Sequence, residues 1–530
     1  MLIIFQIIFA IIASILTLAI YSLVLYPFFW FILMKYKYGD KIKVFFNIGQ
    51  GMLKEYKKGL IEKNDGVAFI RNMHQKNLKA MAFNYGSKVG FSFLDPELIK
   101  QVHQNHEYFI KMDATMAVTF LFGNSILYAK GKEWQKQRQF LGKSFHFDEI
   151  KSYFPQIKEI CQNTFRNTYQ KLTNEEQINI QAVKICETVT SEVIFRTFFG
   201  KTSQNLNITK KDGSQILLAF ELVEVVKSAF QMLTIDKIAL IKWIFLQRNS
   251  ARYFRTEKEE DLFQRLTAIK ECCLQIVQKR RDELIKEPTQ AKKIFLDQYL
   301  IDTMQNQSSQ VTDDEIIDNF CGMFFAGTDT TANMTGVALY YLSIYPEIQR
   351  QAREEIIKIL SSKSNDKNPD SLFSQFSIED LSNLDLINSI LKESMRLIPP
   401  AIQVFPRIAC QDIKIGEFEI KKGQLVTTNF VYNQSNPEIF PKPDNFDPFR
   451  WMNEDNTQSN TFNFTPFSQG PRNCIGQHLA MIEGKCMLVY ILLLFDILPN
   501  PSVLVAKEVK VIYGFQNDNL IYFKKRQNII

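Results

Sequence analysis

The chain has 530 residues, of which 46% are hydrophobic and 45 are phenylalanine, enough for a large core rich in aromatic rings. Its net charge of +7 is spread along the chain with no run of five or more basic residues, which excludes a nucleic-acid-binding arm. None of the eight cysteines forms a Cys-x-x-Cys pair, so neither a zinc site nor a dense disulfide framework is indicated, and a reducing compartment is expected.

No charged side chain occurs from Met1 to Met34, and the first is Lys35. About 20 apolar residues span a bilayer, whereas the apolar core of a cleaved signal peptide is only about 7–15 residues. The segment is therefore expected to be a transmembrane anchor over residues 1–34, with one domain from 35 to 530. Lys35, Lys37, Lys41 and Lys43 follow it and nothing basic precedes it, which predicts a cytosolic body. On that orientation the sequons at Asn207 and Asn463 are not glycosylated.

Val89 to Leu94 is β-prone, and Asp95-Pro96-Glu97 reads as a capped helix start. Trp134 and Arg138 lie four apart, on one helical face. From about Ile150 to Glu287 the spacing predicts helices. Thr312 with Glu315 reads as a capping box, opening a helical pattern that runs to Tyr345, where Pro346 stops it. Midway along it, Ala326-Gly327-Thr328-Asp329-Thr330-Thr331 interrupts an apolar helix with small and polar residues. Such residues can bond back to the preceding turn and merely bend it; a functional use is the competing reading. Glu393 and Arg396 share a helix ended by Pro399-Pro400, and Asp412 to Gly423 alternates as strands with glycine turns.

Near the end stands Phe467-Ser468-Gln469-Gly470-Pro471-Arg472-Asn473-Cys474-Ile475-Gly476, followed by an apolar helical run. A thiolate ligand needs positive charge or helix-terminal amides near its sulfur. A metal ion supplies the first, and the helix beginning at Ile475 the second. Gly470 and Gly476 permit close approach to a flat macrocycle, Arg472 suits a carboxylate bidentately, and Phe467 packs beside the sulfur. Phe, Gly, Arg, Cys and Gly at these spacings arise by chance in roughly one chain in ten thousand of this length.

With this loop the sequence resembles the cytochrome P-450 family, haem-thiolate monooxygenases whose signature Phe-x-x-Gly-x-Arg-x-Cys-x-Gly is met at every fixed position. The resemblance implies a mainly α-helical fold with a minor β-region, a long helix over the haem, and haem b bound through Cys474. It also implies propionate contacts from Trp134, Arg138, Arg472 and, on a looser alignment, Arg407. Ala/Gly-Gly-x-Asp/Glu-Thr is the family's oxygen motif, so Gly327 is expected to open room for oxygen while Asp329 and Thr330 relay protons. Glu393, Arg396 and Arg450 are expected to form a buried structural core; position 449, often glutamate in the family, is Phe449 here. Substrate-lining segments are expected at residues 101–123, in the middle helices, including 220–230, and at 513–516.

The implied reaction inserts one atom of O2 into a lipophilic substrate such as a fatty acid, sterol or xenobiotic. No Gly-x-Gly-x-x-Gly follows a strand, and Gly49-Gln50-Gly51 is followed by Lys54 where the third glycine would stand. Electrons are thus expected from an NADPH-dependent flavoprotein reductase at the endoplasmic reticulum membrane. The alternatives are a peroxide-isomerising or dehydrating relative needing no reductase, and a non-redox anchored binding protein.

Overall fold

The computed structural model describes residues 2–46, 52–74, 77–113, 115–172, 176–210, 213–246, 249–252, 254–305, 311–364, 366–452, 461–517 and 519–526. The triplet Gly49-Gln50-Gly51 lies outside them. An N-terminal rod runs without a break through Leu2–Ile20, a π-helical turn Tyr21–Leu25 and the helix Tyr26–Tyr38, which ends at Gly39. The most apolar 18-residue window of the span Ile3–Lys41 has a mean hydropathy of 2.8, and most large side chains before Pro27 face outward. From Pro27 onward one face is buried: Trp30 packs on Phe91 (ring centroids 5.2 Å apart) and Tyr38 on Phe418 (4.6 Å). The packed body therefore begins before Lys35, where the first charge had set the expected boundary. Hydropathy responds to lipid and to a protein core alike.

The rod docks on a six-stranded sheet whose spatial order is Ile42–Phe45, Ala80–Tyr85, Lys88–Phe93, Leu425–Thr428, Arg407–Ala409 and Phe109–Lys111. Its last two strands are antiparallel, in a register that sets Lys111 opposite Arg407. The predicted alternation after Asp412 forms the hairpin Ile413–Ile415 with Phe418–Ile420. Asp95 caps the helix Pro96–Gln104 through the amides of Glu97 and Leu98. The stretch from 150 to 287 is mostly helical, but Gln177–Gln181 is a strand. It pairs with Asn519–Lys525, a partner more than 300 residues away that no local pattern announces.

The central helix, Asp313–Ile344, is capped by the Thr312 hydroxyl, which accepts from the Glu315 amide; Pro346 opens the next helix directly. At about 1.5 Å per residue its 32 residues make a rod of roughly 48 Å. The flank helix Ala182–Phe199 lies along it, and the terminal helix Gln477–Leu494 packs below. The terminal helix is apolar enough to cross a membrane, yet it is mostly buried and belongs to the core.

The helix Asp385–Leu397 carries the expected charged core. Arg396 donates to both carboxylate oxygens of Glu393, each at 2.9 Å, and to Gln434 O. Arg450 Nε (3.1 Å), Trp451 Nε1 (2.9 Å) and the Asp447 amide (3.1 Å) complete the carboxylate's shell. Every lone-pair direction of Glu393 is used, which makes a fully buried carboxylate tolerable. Phe449 stands outside this shell, 38% exposed.

Candidate active site

The loop bearing Cys474 closes on itself through backbone hydrogen bonds. Ser468 N–H donates to Thr465 O (2.9 Å), Asn473 N–H to Gly470 O (3.0 Å) and Cys474 N–H to Phe467 O (2.8 Å). Gly470 sits at φ +73°, where an added Cβ would also come within 3.3 Å of His103 O; glycine meets both demands at no cost. Phe467 is half-buried against the core. The Cys474 side chain is accessible, although its loop is packed on the body. Burial raises its thiol pKa, while the Gly476 amide and the charge of Arg138 oppose the rise. Those two influences do not prevail alone, so a cation at the sulfur is needed to hold a thiolate.

Around this loop the fold gathers cations. Arg138, on the helix Gly131–Ser144, donates to Asn473 O at 2.9 Å and so ties that helix to the cysteine loop. Arg472 donates to Ala129 O (3.0 Å) and stacks its guanidinium 3.9 Å from the ring centre of buried Trp134. Arg407 is buried on its strand, and Lys111 faces it across the ladder. Burial, with the charges of Arg472 and Arg407, pushes Lys111 down to about 7. Burial pushes Arg407 down to about 10, and burial with Arg407 and Arg138 does the same to Arg472. Among the described residues, no carboxylate is one of the groups acting on these three. Arg407 is buried and Lys111, Arg138 and Arg472 are half-buried; charge drawn out of water without a counter-charge is costly, so this region suits an anion. Two haem propionates are such a group, and an accessible thiol beside the same cations suits the iron they accompany. The residues therefore fit a haem.

On the central helix, every residue from Glu315 to Leu339 is buried except Ala326, Gly327 and Thr330. This three-residue window is where the predicted small and polar insertion lies. Thr330 Oγ1 donates back to Ala326 O at 2.6 Å, so these two residues share the open face. Gly327, itself part of the window, also meets the flank helix: its missing Cβ would lie 2.8 Å from Ile194 Cδ1. The glycine lets two helices approach, and Ala326 is the small residue beside Thr330. Asp329 is buried. Burial first, then the charge of Glu187, push its carboxyl up to about 7, against Lys227 and Lys184.

Aromatic rings pack beside the window. Phe325, next to Ala326, packs on Phe122 (5.4 Å) and on Phe230 of the roof helix Leu218–Ile235 (5.2 Å). Phe220, at the other end of that helix segment, is 50% exposed. Tyr513 departs from its expected pocket role: it is fully buried, its hydroxyl donating to Asp65 Oδ1 at 2.7 Å beside Arg71. Sequence reasoning missed Lys111 and Glu187, because neither sits in a recognisable local pattern; the strand register reveals the first and helix packing the second.

A family model described as Cytochrome P450 matches residues 51–512. Cytochrome P450 4F5 of Rattus norvegicus is 28% identical over 415 residues, covering 77% of this chain and 75% of the relative. Cytochrome P450 4F11 of Homo sapiens is 28% identical over 387 residues (71% and 69%), and cytochrome P450 734A1 of Arabidopsis thaliana is 25% identical over 454 (84% and 80%). Among solved structures, the cytochrome P450DA haem domain superposes with a TM-score of 0.68 at 19% identity, covering 85% of this chain and 90% of that one.

Proposed function

This chain belongs to the cytochrome P450 family and is a monooxygenase of the haem-thiolate type, and on that premise we propose that it inserts one atom of O2 into a lipophilic substrate. Fatty acids, sterols and foreign lipophiles are the candidate classes, the second oxygen atom leaves as water, and an NADPH-dependent flavoprotein reductase supplies the electrons. The reductase docks on the basic face near Cys474. The anchor crosses the endoplasmic reticulum membrane once, with the body in the cytosol. We place its end near Tyr26, because the rod is packed on protein from Pro27 onward.

Haem b supplies the activation of dioxygen, which no protein side chain can perform. Cys474 would hold its iron, with Phe467 packed beside the sulfur. Arg472, Arg407, Arg138 and Lys111 would neutralise the propionates, with Trp134 bracing the Arg472 guanidinium. Ala326 keeps the central helix low where oxygen must fit. Thr330 Oγ1 gives up its bond to Ala326 O to offer a proton at the open face, and Asp329 restores that proton. The aromatic wall of Phe122, Phe230 and Phe325 excludes water and favours an apolar guest.

The gathering of buried and half-buried, uncompensated cations beside an accessible cysteine carries this reading. The reduced, carbon-monoxide-bound absorption spectrum tests it. A strongly red-shifted Soret band that disappears in Cys474→Ala is expected; its absence from the wild type, or survival in the variant, overturns the ligand assignment. Product formation that stops without reductase and NADPH supports the monooxygenase reaction, whereas steady turnover of a lipid hydroperoxide alone replaces it with the peroxide-isomerising one.

A further inference from the structure

Asp329 and Thr330 are neighbours in sequence but, being about 100° apart around a helix, face different surroundings. Thr330 looks into the open window; Asp329 is turned toward the flank and roof helices. Three contacts fix how the flank helix lies there. Val183 N stands 3.0 Å from where a Cβ of Gly336 would be, Thr190 Oγ1 donates to Thr328 O at 3.1 Å, and Ile194 abuts Gly327. The two helices therefore run antiparallel. Residues 183, 187, 190 and 194 form one stripe at helical spacing, which places Glu187 against the central helix within about a turn of Asp329.

Exposure falls inward along this line. The Lys184 side chain is 42% exposed, Glu187 13%, and Asp329 is 9% exposed. Lys184 Nζ holds the Glu187 carboxylate at 2.8 Å, and from the roof helix Lys227 faces the same region, 3.9 Å from Glu224. On the same stretch of the central helix, Thr328 Oγ1 and Asn333 Oδ1 are buried without a hydrogen-bond partner.

We propose that Glu187 is the entry point for protons: it takes them from solvent at the Lys184 side and hands them to Asp329, which serves Thr330. This rests on the roles of Asp329 and Thr330 given above. In each passage one hydronium proton from bulk solvent moves to the Glu187 carboxylate, leaving water, and then to the Asp329 carboxylate, which has just given its own proton to Thr330. Glu187 is left anionic and ready for the next proton. Lys184 is a positioning residue whose ion pair orients the Glu187 carboxylate, while Lys227 adds positive charge near Asp329. The near-neutral set point of Asp329 suits such an exchange, since an acid works best when its pKa lies near the operating pH.

The test uses the full-length chain and the variants Glu187→Gln, Glu187→Asp and Lys184→Met. The infrared carboxyl band that disappears in Asp329→Asn is titrated in the haem-free and haem-loaded protein. Glu187→Gln removes a negative neighbour, so the midpoint of that band should fall; Lys184→Met removes a positive one, so it should rise; Glu187→Asp should stay near wild type. In turnover, Glu187→Gln should cut product formed per NADPH about tenfold, divert oxygen to hydrogen peroxide and enlarge the D2O effect, with substrate-induced spin shifts unchanged and Glu187→Asp restoring most of the loss. Unmoved midpoints, or a D2O effect the same in Glu187→Gln as in wild type, overturn the inference. If Asp329→Asn itself leaves peroxide release and the D2O effect unchanged, the earlier role of Asp329 fails instead.

Discussion

Two buried clusters of cations in this molecule look alike by composition and differ in their balance. Around Glu393, two guanidiniums share one carboxylate, and backbone and indole donors fill what remains. Around Cys474, Lys111, Arg407 and Arg472 crowd together with Arg138, and among the described residues no carboxylate acts on the three. The first cluster is complete within the chain and holds the fold; the second is incomplete and describes the shape of what must be added. Charge balance, more than burial, separates a structural site from a binding site.

Breaking the complete cluster should have the largest effect. Glu393→Ala strands two arginines and should cost about 3–5 kcal/mol, read from urea unfolding; a loss under about 1 kcal/mol would show that the carboxylate is dispensable. The incomplete cluster should respond with the opposite sign. Arg407→Met removes an uncompensated charge, so the haem-free chain should gain about 1–3 kcal/mol while releasing haem faster to a scavenger globin. A destabilised haem-free variant would mean that Arg407 has a counter-charge after all.

A gentler version of the comparison uses pH. Lys111 titrates near 7 in the folded chain against about 10.4 when unfolded. Between these values the unfolded chain binds the extra proton, so stability should rise with pH from about 7 to 10 and stay level below 7. The thermal midpoint of the haem-free protein should follow that course and flatten in Lys111→Met, and haem loading should erase the slope by giving the lysine an anion. The smallest effect belongs to Phe449→Glu, which restores the residue common in the family. Because position 449 lies outside the Glu393 shell and is 38% exposed, stability should change by less than about 0.5 kcal/mol.

What could be read from the sequence divides along similar lines. The cysteine loop, the capped central helix with its polar insertion, the Glu393–Arg396 pair and the apolar rod are written in contiguous residues, so a reading of the sequence could find them. Features made by distant partners were illegible. Lys111 becomes part of the site only through its register with Arg407, and Gln177–Gln181 becomes a strand only against the last strand of the chain. Gly327 shows the boundary between the two kinds: spacing identified the residue, but which way its missing side chain points depends on Ile194, 133 positions earlier.

The N-terminal rod has a mechanical side. A helix unbroken from Leu2 to Tyr38, and bolted to the sheet by Trp30, Phe31, Met34 and Tyr38, behaves as a driveshaft with no universal joint. One residue inserted in the turn Tyr21–Leu25 would spin the body by about 100° and shift it by about 1.5 Å, bringing a different side of it toward whatever holds the shaft.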